Sequence, residues 1–498
     1  MESVQIHDGR PRRRLECALI SCAALLFLSL NVFLITRHEA WRDEAQAWLL
    51  AKNTTLPQLV AAMKGDGHPP LWHLLLRPFA KLGFPYEYIS AISIALVFAA
   101  VILLLLKAPF PPIVRCIAVF SSVFCYYNPV IARVYALIVA LVMLLAALWK
   151  QKYERPILYG VLIALLFQTH VIMAGLAGGL LLCMGIHFLK KEGRSFRQFV
   201  GTLIPFVSMC FVVLLLFQQS GDEVSVSVSL SSVLGNLTPE HIEFGLLPTL
   251  RMIVHLPQSV SIRYYELAFC AVCAAALLVI LLRKQLPVLW EELLVIFCGE
   301  FVFLFVVSFI YPGTNQMKTL FFLILVFGIW IICTSSDDRL VRSCFLTLLG
   351  VLSLLSVGVW GKDAKADIQK AYSGGEAMSE YIISTLPANS VVLMQYDCYD
   401  TSVFATVKPQ REDIVFYEID SDREFSYHTW GHKFPEKTAQ DIRKLADTKF
   451  ADRDVYFLFS NYLERYDPAV YLDEHFTEPY YFDGSIVEED FALFHLER

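Results

Sequence analysis

The sequence predicts a polytopic α-helical membrane protein that ends in a polar α/β domain. Three observations carry this expectation. Hydrophobic residues make up 56% of the 498 and charged ones only 18%, with a mean hydropathy of +0.54, whereas soluble domains carry roughly 25% charged residues. Apolar stretches close to span length recur through most of the chain. From Gly361 onward the composition turns charged and polar.

A span needs ~20 apolar residues, and a helix is the open-ended way to cross lipid because it satisfies every backbone amide within the segment. About eleven stretches qualify as candidates: 15–35, 88–106, 113–127, 134–149, 157–168, 171–189, 200–217, 267–282, 293–311, 320–333 and 346–360. Short joints separate the third to the sixth. The first is too long for a signal-peptide core and lacks a small-residue cleavage site, so it is expected to remain as a helix.

Lys and Arg in short loops set the expected orientation. Arg10, Arg12, Arg13 and Arg14 precede the first span. Lys150 and Lys152, Lys190 and Lys191 with Arg194 and Arg197, Arg283 and Lys284, and Arg339 with Arg342 then fall on the same side. This predicts a multi-pass protein of the cell membrane with a cytoplasmic N-terminus. The loop after the first span, the 218–265 loop and the C-terminal region are expected on the outer face.

The C-terminal region alternates strand-like runs at 391–396, 414–419, 455–459 and 491–496 with helix-like stretches at 376–385 and 438–446. That pattern predicts an extracytoplasmic α/β domain of ordinary size over 361–498, after a membrane domain over 1–360. The net charge of −6 gives no reason to expect a nucleic-acid partner. Of twelve cysteines only Cys398 lies in the polar region, so no internal disulfide framework is expected there. The others read as small apolar filler. No internal repeat or low-complexity tract stands out.

The richest stretch for chemistry is 40–76, AWRDEAQAWLLAKNTTLPQLVAAMKGDGHPPLWHLLL. Carboxylates this close to a membrane face are costly unless they do chemistry or bind a cation. Asp43 and Glu44 open it on what reads as a short interfacial helix, with Trp41 and Trp48 as membrane anchors. Asp66 and His68 close it before Pro69 and Pro70, which fix the return of the chain. Basic and polar groups follow at the same expected level: Arg133 and Tyr135 at the fourth span, His170 after the fifth and Lys318 before the tenth. On this topology they converge on one face. A carboxylate pair ringed by Arg, Lys and His fits a site that activates a hydroxyl and holds an anionic phosphate leaving group. Glu300, inside the ninth span, is an intramembrane ionisable group and a further suspect. Arg251, His255 and Arg263 in the 218–265 loop carry no specific motif. Asn53-Thr54-Thr55 and Asn236-Leu237-Thr238 have the form of glycosylation sequons.

These motifs resemble the GT-C superfamily of polyprenyl-phosphate-dependent glycosyltransferases, in the branch related to protein O-mannosyltransferases and the lipid A aminoarabinose transferase. The resemblance rests on Asp43-Glu44 after the first span, Asp66-Gly67-His68-Pro69-Pro70-Leu71, Arg133-Val134-Tyr135-Ala136-Leu137 and Thr169-His170, in that order over about residues 38–175. One departure is Val130-Ile131, where relatives often carry Gln-Glu before the Arg-x-Tyr.

The resemblance implies a GT-C-like fold and an inverting transfer of sugar from a polyprenyl-phosphate donor to a glycan, lipid or protein acceptor at the outer face. It implies Asp43 as general base, and Asp66 as the group that orients the acceptor or holds a divalent cation. Glu44 and His68 would shape the pocket. Arg133 and Lys318 would neutralise the lipid phosphate, with Tyr135 and His170 hydrogen-bonding beside them. A transporter or flippase of lipid-linked sugars is the rival from another class, disfavoured by the lack of paired halves. A membrane-anchored binding protein leaves the 40–76 motifs unexplained.

Overall fold

Long uncharged runs become helices in this chain, and polar punctuation decides where they stop. The computed structural model describes residues 10–66, 68–190, 194–217, 230–255, 262–395, 399–429, 437–460, 475–477, 479–484, 486–487 and 489–497. Several sequence expectations lie outside the described residues. These are Gly67, Tyr396, Cys398, much of the 218–265 loop, and the side chains of Arg10, Arg12, Asp66 and Arg263.

Among the described residues, eight helices are long and apolar enough to cross a membrane: Arg13–Ile35, Tyr86–Lys107, Val171–Leu189, Phe196–Leu215, Tyr264–Leu282, Trp290–Phe309, Asn315–Ser335 and Arg339–Gln369. The chain is a polytopic helical membrane protein. Three of the eleven expected spans are shorter in the structure. Pro112–Ala118 has 7 residues, Tyr135–Ala147 has 13 and Pro156–Phe167 has 12, each below the ~20 of a straight crossing.

The described residues fall into two compact units that interleave along the chain. The helical unit takes Met1–Ile35, Ala91–Val213 and Val228–Asp363; the mixed unit takes Thr36–Ser90, Leu214–Ser227 and Ala364–Arg498.

In the helical unit, the expected helix at 113–127 ends at Ala118, and the chain runs through turns to Val134. Ser121-Ser122 and Asn128-Pro129 explain the stop: the hydroxyls and amide compete for backbone bonds, and proline removes a donor. Nearly all of this segment is buried, so its backbone groups need partners. Turn bonds within the segment supply some of them, and side chains from far along the chain supply others and brace the segment. Tyr126, at a φ of +65°, donates its N–H to Asn31 Oδ1 at 3.1 Å. Ser122 N–H donates to Ser356 Oγ at 3.2 Å, and the Trp360 indole donates to the Phe120 carbonyl at 2.8 Å. Tyr127 donates its hydroxyl to Asp363 Oδ2 at 2.5 Å, and the Asn128 amide donates to Thr319 Oγ1 at 3.1 Å.

The mixed unit contains a six-stranded sheet in the order β3-β2-β1-β4-β6-β5. Its strands are β1 (Val391–Met394), β2 (Val415–Glu418), β3 (Arg423–Glu424), β4 (Val455–Ser460), β5 (Tyr480–Phe482) and β6 (Phe491–His495). The strand-like runs of the sequence supply β1, β2, β4 and β6. β1 lies parallel to β2 and β4, with Val391 opposite both Val415 and Val455, and the remaining pairs are antiparallel. Parallel strands covered on both faces read as continuous apolar runs, and β1 is buried along its whole length. Val391, Leu393, Phe457, Phe459 and Phe494 form its core with Ile442 and Ala446 of the Ala439–Lys449 helix. That helix begins at a reciprocal cap: Thr438 Oγ1 accepts the Asp441 N–H, and Asp441 Oδ2 accepts the Thr438 N–H.

The 36–90 segment packs as part of this unit. Its motif helix, Arg42–Asn53, is followed by helices Leu56–Asp66 and Leu71–Lys81. Gln46 exchanges two hydrogen bonds with the His428 backbone at 2.6 and 3.2 Å, Asn53 donates to the Ser426 carbonyl at 2.7 Å, and Thr401 Oγ1 donates to the Arg42 carbonyl at 3.2 Å. Trp41 and Trp48, expected as membrane anchors, are instead 7% and 3% exposed inside this unit. Alternation of acids with tryptophans looks the same whether the rings face lipid or a protein domain.

The buried turn segment yields a prediction. Asn31→Leu keeps volume but removes the side-chain acceptor of the buried Tyr126 N–H, a loss of ~1–3 kcal/mol. Thermal unfolding of the detergent-solubilised protein should show a lowered Tm, and an unchanged Tm would refute this account.

Candidate functional site

The motif helix starts where three buried charges meet. Trp41 is its extended N-cap, and Glu44 sits at the third helical position. Glu44 Oε2 accepts the Trp41 N–H at 3.1 Å. The Trp41 indole is a donor only and cannot return the bond, so this is half of a capping box. Glu44 is 0% exposed, and its second partner is His38, whose Nε2 lies 3.4 Å from Glu44 Oε2. The other ring nitrogen, Nδ1, donates to Asp367 Oδ2 at 2.9 Å. Burial penalises the charged imidazole, but the hydrogen bonds and charges of Asp367 and Glu44 prevail and push its pKa up to about 10. Tyr372 closes the ring edge-on, 4.4 Å between centroids.

A second ionic group sits beside it. Glu489, in the turn before β6, is fully buried. Its Oε1 accepts the Arg42 backbone N–H at 3.3 Å, and its Oε2 accepts the Ser373 hydroxyl at 2.7 Å. The Arg42 Nε lies 3.6 Å from Glu489 Oε1 and 3.5 Å from Asp43 Oδ1. The Arg42 guanidinium also stacks 3.9 Å over the Tyr399 ring. Burial raises the Glu489 pKa to about 7 against the pull of Arg42 and Ser373. Glu39 accepts the Ser373 N–H at 3.1 Å, and burial raises its pKa as well.

The adjacent acids of the motif therefore have different circumstances. Glu44 is enclosed and engaged in capping and pairing, while the Asp43 side chain stays 30% exposed at the helix start. His68 is half-buried at the bend before Pro69 and Pro70. Asp66 ends the Leu56–Asp66 helix. Among the described residues, no group of three or more His, Cys, Asp or Glu side chains is arranged to hold a metal ion.

In the helical unit the structure brings Arg133, Tyr135 and His170 into a row. The Arg133 guanidinium is 5.8 Å from the Tyr135 ring centroid, and the Tyr135 and His170 rings are 5.8 Å apart. His170 Nδ1 accepts the Ile172 N–H at 3.1 Å, which places the proton of a neutral ring on Nε2. Lys318 lies in the first turn of the Asn315–Ser335 helix, 9% exposed, with no ion pair among the described residues. The hydrogen bond from Asn128 to Thr319 links the turn segment preceding Arg133 to the residue beside Lys318. Glu300 Oε2 is buried and has no hydrogen-bond partner among the described residues.

Sequence reasoning did not pick out His38, Arg42, Asp367, Glu489 or Gln316. Asp367 and Glu489 stand in no motif; only folding brings them to residues more than 300 positions away. Gln316 had a readable signal, a polar residue two before Lys318 at a helix start. It is 3% exposed, and both its amide atoms lack partners among the described residues, a costly state for a buried amide.

No protein-family model matches the chain, and no curated protein matches it.

The His38 cluster gives a pH prediction. The folded-state pKa stands above the ordinary 6.5, so its stabilisation is complete below 6.5 and fades as pH rises through about 10. Wild-type Tm should fall across that window, whereas His38→Asn should lose this part of the slope. Parallel Tm–pH curves for the two proteins would contradict the pairing.

Proposed function

We propose that the chain is an integral-membrane glycosyltransferase that moves a sugar from a polyprenyl-phosphate donor to an acceptor hydroxyl at the outer membrane face. The observation that carries the reading is the division of labour between Asp43 and Glu44. Glu44 is engaged in helix capping and by His38, whereas Asp43, beside Arg42, presents a partly exposed carboxylate at the helix start. A general base needs such access from a defined position.

In the proposed reaction Asp43 takes the proton of the acceptor hydroxyl as its oxygen attacks the anomeric carbon. The bond from that carbon to the phosphate oxygen breaks, the electron pair leaves with the polyprenyl phosphate, and the anomeric centre inverts. Arg133 and Lys318 serve the departing phosphate by charge-assisted contact, and Tyr135 and His170 support it. Lys318 suits this task because it is a buried cation without a described carboxylate partner, and such a group is costly to retain without a ligand. Gln316 joins it as a donor. Asp66 and His68 are assigned to the acceptor, with Asp66 also the residue for a divalent cation if one is bound.

A transporter of lipid-linked sugars has one observation in its favour: the buried non-helical segment between Ala118 and Tyr135, since broken helices mark transporter sites. That reading requires no new glycosidic linkage to depend on the chain.

Two outcomes follow. Cells expressing Asp43→Asn in place of the wild type should lose one envelope glycan or glycolipid seen by mass spectrometry, because the amide removes ~10²–10⁴-fold of base catalysis. The same species at wild-type level in both strains would sink the role. Lys318→Met and Gln316→Ala should each weaken binding of farnesyl phosphate to the purified protein by about tenfold or more, with farnesol binding unchanged. Equal losses for both probes would move the phosphate site elsewhere.

A further inference from the structure

We propose that Tyr381, Tyr456, Tyr480 and His495 form a glycan-binding platform at one edge of the sheet, which takes pyranose rings of a neutral oligosaccharide. The proposal goes beyond the transfer reading and does not depend on it. β5 is an edge strand, with β6 beside it and β4 beyond. Directly opposed residues of antiparallel strands share a face. Tyr480 stands opposite Leu493, and Tyr456 stands opposite His495. Leu493 and His495 are two residues apart on β6, so all four lie on the same face.

The Gly375–Thr385 helix adds Tyr381 to this row. Its ring lies 4.4 Å from that of Tyr480 and 5.9 Å from that of Phe482. The Tyr456 and His495 rings stack at 4.6 Å. Burial and a hydrogen bond with the Tyr480 phenol raise the Tyr381 pKa above its ordinary value, and the Tyr456 phenol also acts on it. The two ring pairs are therefore close enough to make one patch of neutral phenols. They are not the core of the sheet, which lies on the opposite face with Phe457, Phe459, Ala492 and Phe494. Tyr480 is 50% exposed, and Tyr381, Tyr456 and His495 are partly exposed. Rings kept at the surface forgo the stabilisation of burial, and a cluster of them marks an interaction site.

The chemistry of the patch selects the ligand. A pyranose seats its C–H face on the electron-rich face of an aromatic ring and turns its hydroxyls to the rim. The rim here has donors and acceptors for them: the phenols, the His495 imidazole and the Asp454 carboxylate, whose Oδ1 is 4.0 Å from His495 Nε2. Asp454 is the charge that acts on Tyr456, and among the described residues no Lys or Arg acts on Tyr381 or Tyr456. That setting disfavours nucleic acids and anionic lipid headgroups, which are held by Lys and Arg. A neutral polyol with apolar ring faces meets every feature of it.

The test uses the full-length protein in amphipol, because maltoside and glucoside detergents carry the proposed ligand. Maltohexaose, cellohexaose, mannohexaose and chitohexaose are titrated in turn and followed by saturation-transfer NMR. At least one should bind with a Kd of about 1 mM or tighter. Tyr480→Ala should weaken that binding about tenfold or more at unchanged Tm, while Tyr480→Phe, which keeps the ring, should stay closer to the wild type. Tyr481→Ala, next along β5 and facing the other way, should bind as the wild type does. Failure of all these oligosaccharides to bind, or a Tyr480→Ala protein that binds them unchanged, overturns the proposal. If Tyr480→Ala does not fold, Tyr456→Ala decides by the same reading. A wild-type dimer that light scattering finds dissociated by Tyr480→Ala would assign the rings to a contact between copies and overturn it as well.

Discussion

The mixed unit depends on one buried positive charge. His38 lies between Glu44 and Asp367 and supplies a counter-charge to both of these enclosed carboxylates. Removing one partner from a buried pair leaves an uncompensated ion, which is far more costly than never having built the pair. Because Glu44 also caps the motif helix, the same charge determines where that helix begins and how Asp43, one residue earlier, is presented. Arg42 and Glu489 repeat the arrangement one step outward. Two cations thus hold together segments that hydrophobic packing alone would not register so tightly.

The helical unit solves a related problem with neutral groups. Its buried turn segment has no helix to satisfy it, so Asn31, Ser356 and Trp360 do so from other helices. Such side-chain bonds favour one arrangement because each requires a particular donor and acceptor to meet within hydrogen-bond distance. Arg133 inherits its position from that arrangement.

How much of this could be read in the sequence depended on range. The four runs that became β1, β2, β4 and β6 were legible because a buried strand is apolar along its length, and that signal is local. The helix expected at 113–127 was misjudged in extent because hydropathy does not register Ser121-Ser122 or Asn128-Pro129 as stops when distant side chains satisfy the exposed backbone. Trp41 and Trp48 carried an amphipathic pattern that fits a membrane surface and a domain surface equally well. Asp43 and Glu44 were visible as a pair, but their different fates were not, since His38 and Asp367 are 329 residues apart in the chain.

That separation has a consequence for biosynthesis. The motif helix emerges early, yet its partner Glu489 follows Arg42 by 447 residues. At ~5–20 residues per second, a ribosome needs about 20–90 s to supply it. During that interval the 36–90 segment stands without the C-terminal groups it bonds to, among them Thr401, Ser426, His428 and Glu489. The unit can close only when synthesis is nearly finished, so a chain that stops short of β6 loses the setting of Asp43 as well as a strand.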